Sequence, residues 1–219
     1  MSSPTDVTGR WYFCDDGWPG ELTLEHEGDE RFSGTYYAER FDEDYTVTAT
    51  VDTGADDEIT LVVHDFNWLP EQRYVGHLFS HGRRAIAGRS FWEGTPYGFF
   101  ANRSTRMALG SYRTGAVLPE DFAGQWNAQL DGEPATVALA WDATAGELRG
   151  HCTRRGLDGE YAVTGKPSTE VLHQITLTID GPDECLILDG LLNSRPKNAL
   201  CGTMLKGDLK RGFYMVRYA

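Results

Sequence analysis

Eight side chains in the first half of the sequence could do chemistry together. Asp15, Asp65 and His77 are titratable groups within or beside short apolar runs, and Tyr36, Trp92, Tyr97, Trp18 and Trp68 are large aromatics in the same stretch. A carboxylate walled by rings loses hydration, so its pKa climbs toward neutrality. A group poised there can take a proton and return it, which is the work of a cofactor-independent isomerase or cyclase acting by general acid–base catalysis. The same rings without turnover make a binding chamber for a small, largely apolar or amphipathic organic molecule. The residues put Asp15, Asp65 and His77 forward as acid–base groups and the five aromatics as ligand contacts, with binding the first reading and isomerisation or cyclisation the alternative. Aromatics are also the usual filling of a small barrel.

Other chemistries fit poorly. His77 and His81 are four apart, and on a strand that separates them by roughly 13 Å, too far for two ligands of one ion. Glu25, His26 and Glu27 alternate faces, and nothing singles out His64 or His77 as a haem ligand. Ser90 in Gly88-Arg-Ser90 lacks the glycine of a nucleophile elbow. His151 and Cys152 are adjacent and so point to opposite sides of a strand. No metal and no cofactor are expected.

The elements that must position these groups are short. Eight runs rich in Val, Ile, Thr and aromatics, from Trp11 to Asp15 through Tyr97 to Arg103, are separated by Gly, Asp, Pro and Ser turn signals, with a hairpin turn expected at Gly94 and Thr95 between Trp92 and Tyr97. No helical periodicity of useful length competes with them. The second half repeats the first. One constant shift carries Gly34 to Gly150, Tyr45 to Tyr161 and Ile59 to Ile175, and after a small deletion Gly76 maps to Gly190 and Gly88 to Gly202. Such self-similarity is an internal duplication. The expected fold is all-β: two tandem eight-stranded antiparallel up-and-down barrels, at 1–103 and 119–219, joined by a linker at 104–118.

Each copy opens on an apolar residue, Gly and Trp, namely Val7, Gly9 and Trp11 in one and Phe122, Gly124 and Trp126 in the other, and closes on an Arg, Arg103 or Arg217. This resembles the signature of the calycin superfamily of lipocalins, fatty-acid-binding proteins and avidins. The resemblance implies that each Arg lies across its Trp as a structural staple, and that Tyr36 stands where avidins place a ring-contacting tyrosine. It does not extend to biotin, because Phe13 and Ala38 occupy places where polar contacts are expected, and Cys152 and Arg154 stand in the second copy. With the closing Arg residues inward, Phe100 and Tyr214 point outward, so the barrels are expected to pack on each other or on a second subunit as a homodimer through outer barrel faces.

Net charge is −13, and residues 1–103 hold 8 basic and 19 acidic side chains. That acidity argues against nucleic acid and anionic membrane surfaces as partners. Of the 26 aromatics, 18 fall in the first copy, which makes it the better chamber. Cys14, Cys152, Cys185 and Cys201 have no CxxC spacing, and Cys201 is expected opposite about Gly190, so free thiols are anticipated. With no leader or apolar span legible, the expected location is cytoplasmic.

Overall fold

A computed structural model describes residues 7–217 except 53, 55, 105, 107–114 and 183. The start of the first copy and most of the expected linker at 104–118 lie outside the described residues. The first barrel is built from β1 (Gly9–Asp15), β2 (Trp18–Gly28), β3 (Arg31–Ala38), β4 (Glu43–Asp52), β5 (Glu58–His64), β6 (Glu71–Leu78), β7 (Ala85–Trp92) and β8 (Thr95–Asn102). The second uses β9 (Gly124–Leu130), β10 (Glu133–Asp142), β11 (Glu147–Arg154), β12 (Tyr161–Pro167), β13 (Gln174–Asp180), β14 (Cys185–Leu192), β15 (Ala199–Lys206) and β16 (Leu209–Val216). Every strand pairs antiparallel with its sequence neighbours, and β1 meets β8 as β9 meets β16, closing both barrels.

The alternation of each strand decides its inner face. Along β4, Tyr45, Val47, Ala49 and Val51 are buried while the residues between them are exposed, the period-two pattern of a sheet with one wet side. Matching glycines mark close strand approaches in both copies. A Cβ on Gly34 would come within 1.8 Å of the Thr23 carbonyl oxygen, and one on Gly150 within 1.8 Å of that of Ala138. The turn between β7 and β8 falls at Glu93 (φ 50°) and Gly94 (φ 82°), one residue earlier than expected. Two successive left-handed residues match the twist of the flanking strands.

Both staples form. The indole of Trp11 donates to the Val7 carbonyl at 2.9 Å under the Arg103 guanidinium, which lies 4.1 Å from the ring centre. Trp126 donates to Phe122 at 3.0 Å beneath Arg217 at 4.5 Å. Arg217 also donates to the carbonyls of Ala123 and Asp121 at 2.6 and 2.7 Å.

The two barrels pack on each other through the faces that carry Phe100 and Tyr214, whose rings stack at 4.9 Å. Around them a third apolar cluster includes Cys14, Phe79, Ala87 and Cys201. The contacts are reciprocal. Asp16 receives the backbone N–H of Ser194 at 2.6 Å and its hydroxyl, and at the equivalent positions Asp131 receives the N–H of Ser80 at 2.6 Å and its hydroxyl. A Cβ on Gly98 would meet the Leu191 carbonyl oxygen at 2.9 Å, and one on its counterpart Gly212 would meet that of His77 at 2.9 Å. All four cysteines are free, and Cys201 pairs with Leu191, one residue beyond the expected Gly190. Among the described residues no helix is long and apolar enough to cross a membrane.

Candidate functional site

A cavity of about 310 Å³ opens at the end of the first barrel where β1 runs out and β2 begins. Trp11, Phe13 and Asp15 share the inner face of β1, which brings the Asp15 carboxyl to the floor of this chamber. There the Tyr74 hydroxyl donates to its Oδ2 at 3.0 Å and the Ser90 hydroxyl to its Oδ1 at 3.1 Å. Burial disfavours the charged form and the neighbouring Asp16 adds to the effect; together they outweigh the two hydrogen bonds and push the Asp15 pKa up to about 7. Burial, reinforced by Asp15, holds the hydroxyls of Tyr74 and Tyr36 well above the ordinary tyrosine range, so both remain protonated donors.

The walls are aromatic. Phe13 meets Tyr36 and Tyr74 edge-on, each with centroids 5.2 Å apart. Nearer the mouth Trp92 packs edge-on against Trp68 at 5.5 Å, and Trp68 itself is 69% exposed. The Gln72 amide donates to the Phe91 carbonyl at 3.2 Å. Asn67 lines the cavity with a buried Nδ2 that has no partner among the described residues.

The second barrel completes the rim. Its loop between β14 and β15 supplies Ser194, clamped by Asp16, and Arg195, which lies 5.4 Å from the Trp18 ring on which Arg40 also stacks at 4.1 Å. His173 stacks on Tyr97 at 5.0 Å while its Nε2 donates to the Pro96 carbonyl at 2.6 Å, fixing the hairpin wall.

Six of the eight residues singled out from sequence, Asp15, Tyr36, Trp92, Tyr97, Trp18 and Trp68, line this one chamber. The other two lie elsewhere. On β6 the inward residues are Gln72, Tyr74, Gly76 and Leu78, so His77 points outward, buried between the barrels, with its Nδ1 3.0 Å from the Asp56 carbonyl. Asp65 would have faced inward had β5 continued; instead β5 ends at His64, and Asp65 turns out to solvent at φ 52°. Tyr74, Ser90, Gln72, Arg40 and Arg195 are the residues that sequence reasoning missed. Counting outward by two from the inward Gly76 and Gly88 finds Tyr74 and Ser90.

The second copy supplies a further signal, because the matched strand registers place a different residue at each position. Asp15 becomes Leu130, Tyr74 becomes Leu188, Ser90 becomes Met204 and Gln72 becomes Leu186, all buried. Tyr36 becomes Cys152, and Ala38 becomes Arg154, which is 8% exposed and ion-paired to Glu133 and Glu184. Aliphatic side chains and this ionic plug thus occupy in the second barrel the places that surround the chamber in the first. Among the described residues no three His, Cys, Asp or Glu side chains converge as a metal site would require.

No family model matches this chain. No curated protein matches it either. A solved structure from Nostoc punctiforme, described as a protein with unknown function from the DUF3598 family, is similar at 13% identity, covering 94% of this chain and 84% of that chain with a TM-score of 0.33.

Proposed function

We propose that the first barrel receives one small amphipathic organic molecule, and that the second barrel shapes the rim rather than holding a ligand of its own. The observation that carries this reading is the contrast at equivalent positions, with Asp15, Tyr74 and Ser90 around a cavity in one copy and Leu130, Leu188 and Met204 packed in the other. A polar cluster inside a barrel lowers stability unless something is gained from it, and the second copy closes with leucine and methionine at these three places. A volume near the lower end of ligand pockets, about 300 to 1,000 Å³, suits a molecule of one or two rings. The Gly-x-Trp openings and Arg closures fit a calycin-like barrel, and four free thiols fit a reducing compartment such as the cytoplasm.

A second reading, proton transfer in an isomerase or cyclase, draws support from Asp15 alone. Its carboxyl is held near neutrality beside protonated tyrosines, the condition under which one group can remove a proton from a bound substrate and return it at another atom. Native mass spectrometry of the protein from its own cells tests the first reading. One equivalent of a small molecule should be retained by the whole protein and lost on Trp92→Ala; retention by that variant would place the molecule elsewhere. If the recovered molecule is converted by the wild type but only bound by Asp15→Asn, the second reading takes over from the first.

A further inference from the structure

The rim differs from the rest of the first barrel in charge. Acidic side chains outnumber basic ones 19 to 8 in residues 1–103, yet two guanidinium groups, Arg40 and Arg195, lie against Trp18 at the mouth, and the one carboxylate beside them there, Asp16, is already engaged by Ser194. Neither has a carboxylate within 4 Å among the described residues, although Arg195 is near enough to Asp16 to favour its charged form. Arg40, 4.1 Å from the ring centre, has its face on the indole, and the edge donors of a guanidinium form a planar fork suited to carboxylate, sulfonate or phosphate oxygens. Position is fixed as well as charge, since Arg195 follows Ser194, the residue that Asp16 clamps. The second copy again differs at the equivalent places. Gly156 stands for Arg40, and His81 stands for Arg195 with Asp131 and Glu133 already 3.7 and 3.6 Å from its ring nitrogens.

We infer that the molecule received by the first barrel is an amphipathic organic acid, its anionic group held between Arg40 and Arg195, its flat apolar body against Trp92 and Tyr36, and an N–H or O–H donor toward Asp15. This rests on the chamber reading given above and adds the polarity of the occupant. The long-range field opposes it, because a protein of net charge −13 repels anions. A preference for the anion must therefore come from the rim.

Two dyes with the same phenyl and naphthyl rings and the same bridging N–H separate the possibilities: 8-anilinonaphthalene-1-sulfonate, which is anionic, and N-phenyl-1-naphthylamine, which is neutral. Fluorescence titration of the full chain should give at least tenfold tighter binding of the sulfonate. In the Arg40→Met, Arg195→Met double variant, whose long apolar side chains still cover Trp18, that gap should close while the neutral dye keeps its affinity within about twofold. Equal affinities in the wild type, or a gap that survives in the double variant, would overturn the organic-acid inference and leave the chamber reading intact. Failure of both dyes to bind, or binding of both unchanged by Trp92→Ala, would overturn the chamber reading and this inference with it.

Discussion

The Tyr74 hydroxyl donates to Asp15 Oδ2 across 3.0 Å on the inner face of the first barrel, and the second barrel keeps neither partner. Leu188 and Leu130 take their places. The pair is therefore dispensable for closing a barrel of this kind, and its effects on titration and on stability should be separable.

Asp15 should give the protein a distinct pH dependence. Its folded-state pKa is raised from an ordinary 3.8 to about 7, so between those values the folded state holds a proton that the unfolded chain has released. The associated stabilisation is complete below about pH 4 and lost as pH rises through about 7. By the usual conversion this is about 2 to 4 kcal/mol, water in the chamber lowering the upper figure. Subtracting the thermal unfolding profile of Asp15→Asn from that of the wild type should leave a difference that falls over this window, and a flat difference would mean that Asp15 titrates normally.

The wall and the filling should respond differently to truncation. Trp92→Ala should weaken binding at least tenfold, about 1.4 kcal/mol, and cost less stability than truncating a fully buried residue, because Trp92 borders the cavity and is packed only in part against the barrel core. Met204→Ala, at the position equivalent to Ser90 and 2% exposed, should cost about 2 to 5 kcal/mol of stability and leave affinity intact. Paired titration and denaturant unfolding measure both, and comparable affinity losses would place the chamber between the barrels.

Arg154 should behave as a plug. Arg154→Ala removes the cation shared by Glu133 and Glu184 and leaves Glu184 with Lys206 and Glu133 beside His81, at an expected cost of about 2 to 3 kcal/mol, less than for fully buried charges because both carboxylates are partly exposed and keep a neighbouring base. Adding Glu133→Gln and Glu184→Gln should recover at least half of it. Chemical denaturation of the single and triple variants makes the comparison; no recovery would show that Arg154 matters through packing of its stem alone.

Arg217→Met should cost about 2 kcal/mol. The change removes the cation over Trp126 and leaves the carbonyls of Ala123 and Asp121 without their donor. Ligand affinity in the first barrel should not change, and a tenfold loss in a folded variant would mark Arg217 as part of a site.

Most of the barrel was legible because its determinants are local: alternation such as that of Tyr45 to Val51, turn residues, and a second copy in which to check each strand. Asp15 is legible from its place at the end of the first strand and Tyr36 from the barrel family the sequence resembles, and both lie on inner faces, two residues from Phe13 and Ala38. His77 faces outward because strand parity overrides residue type: with Gly76 and Gly88 on the inner face, Tyr74 and Ser90 share it and His77 does not. Asp65 was misplaced because a strand's last residue is set by turn conformation, which sequence fixes only to within a residue or so. Arg195 was out of reach. It is brought to the Trp18 ring by the packing of one barrel on the other, and neither strand period nor local composition encodes that approach.

The reciprocity of the barrel contact has an evolutionary consequence. Surface patches that meet their own equivalents, Phe100 on Tyr214, Gly98 and Gly212 each against the opposite strand, Asp16 and Asp131 each on the other half's serine, form the isologous arrangement of a twofold dimer. The chain has the geometry of such a dimer whose subunits became covalently joined. In that ancestor symmetry would have forced both interiors to change together; once joined, the two were free to diverge, one now carrying Asp15, Tyr74 and Ser90 where the other carries Leu130, Leu188 and Met204. A single-copy relative should accordingly pair about a twofold axis in solution through the equivalents of Phe100 and Tyr214, and a monomeric one would contradict this descent.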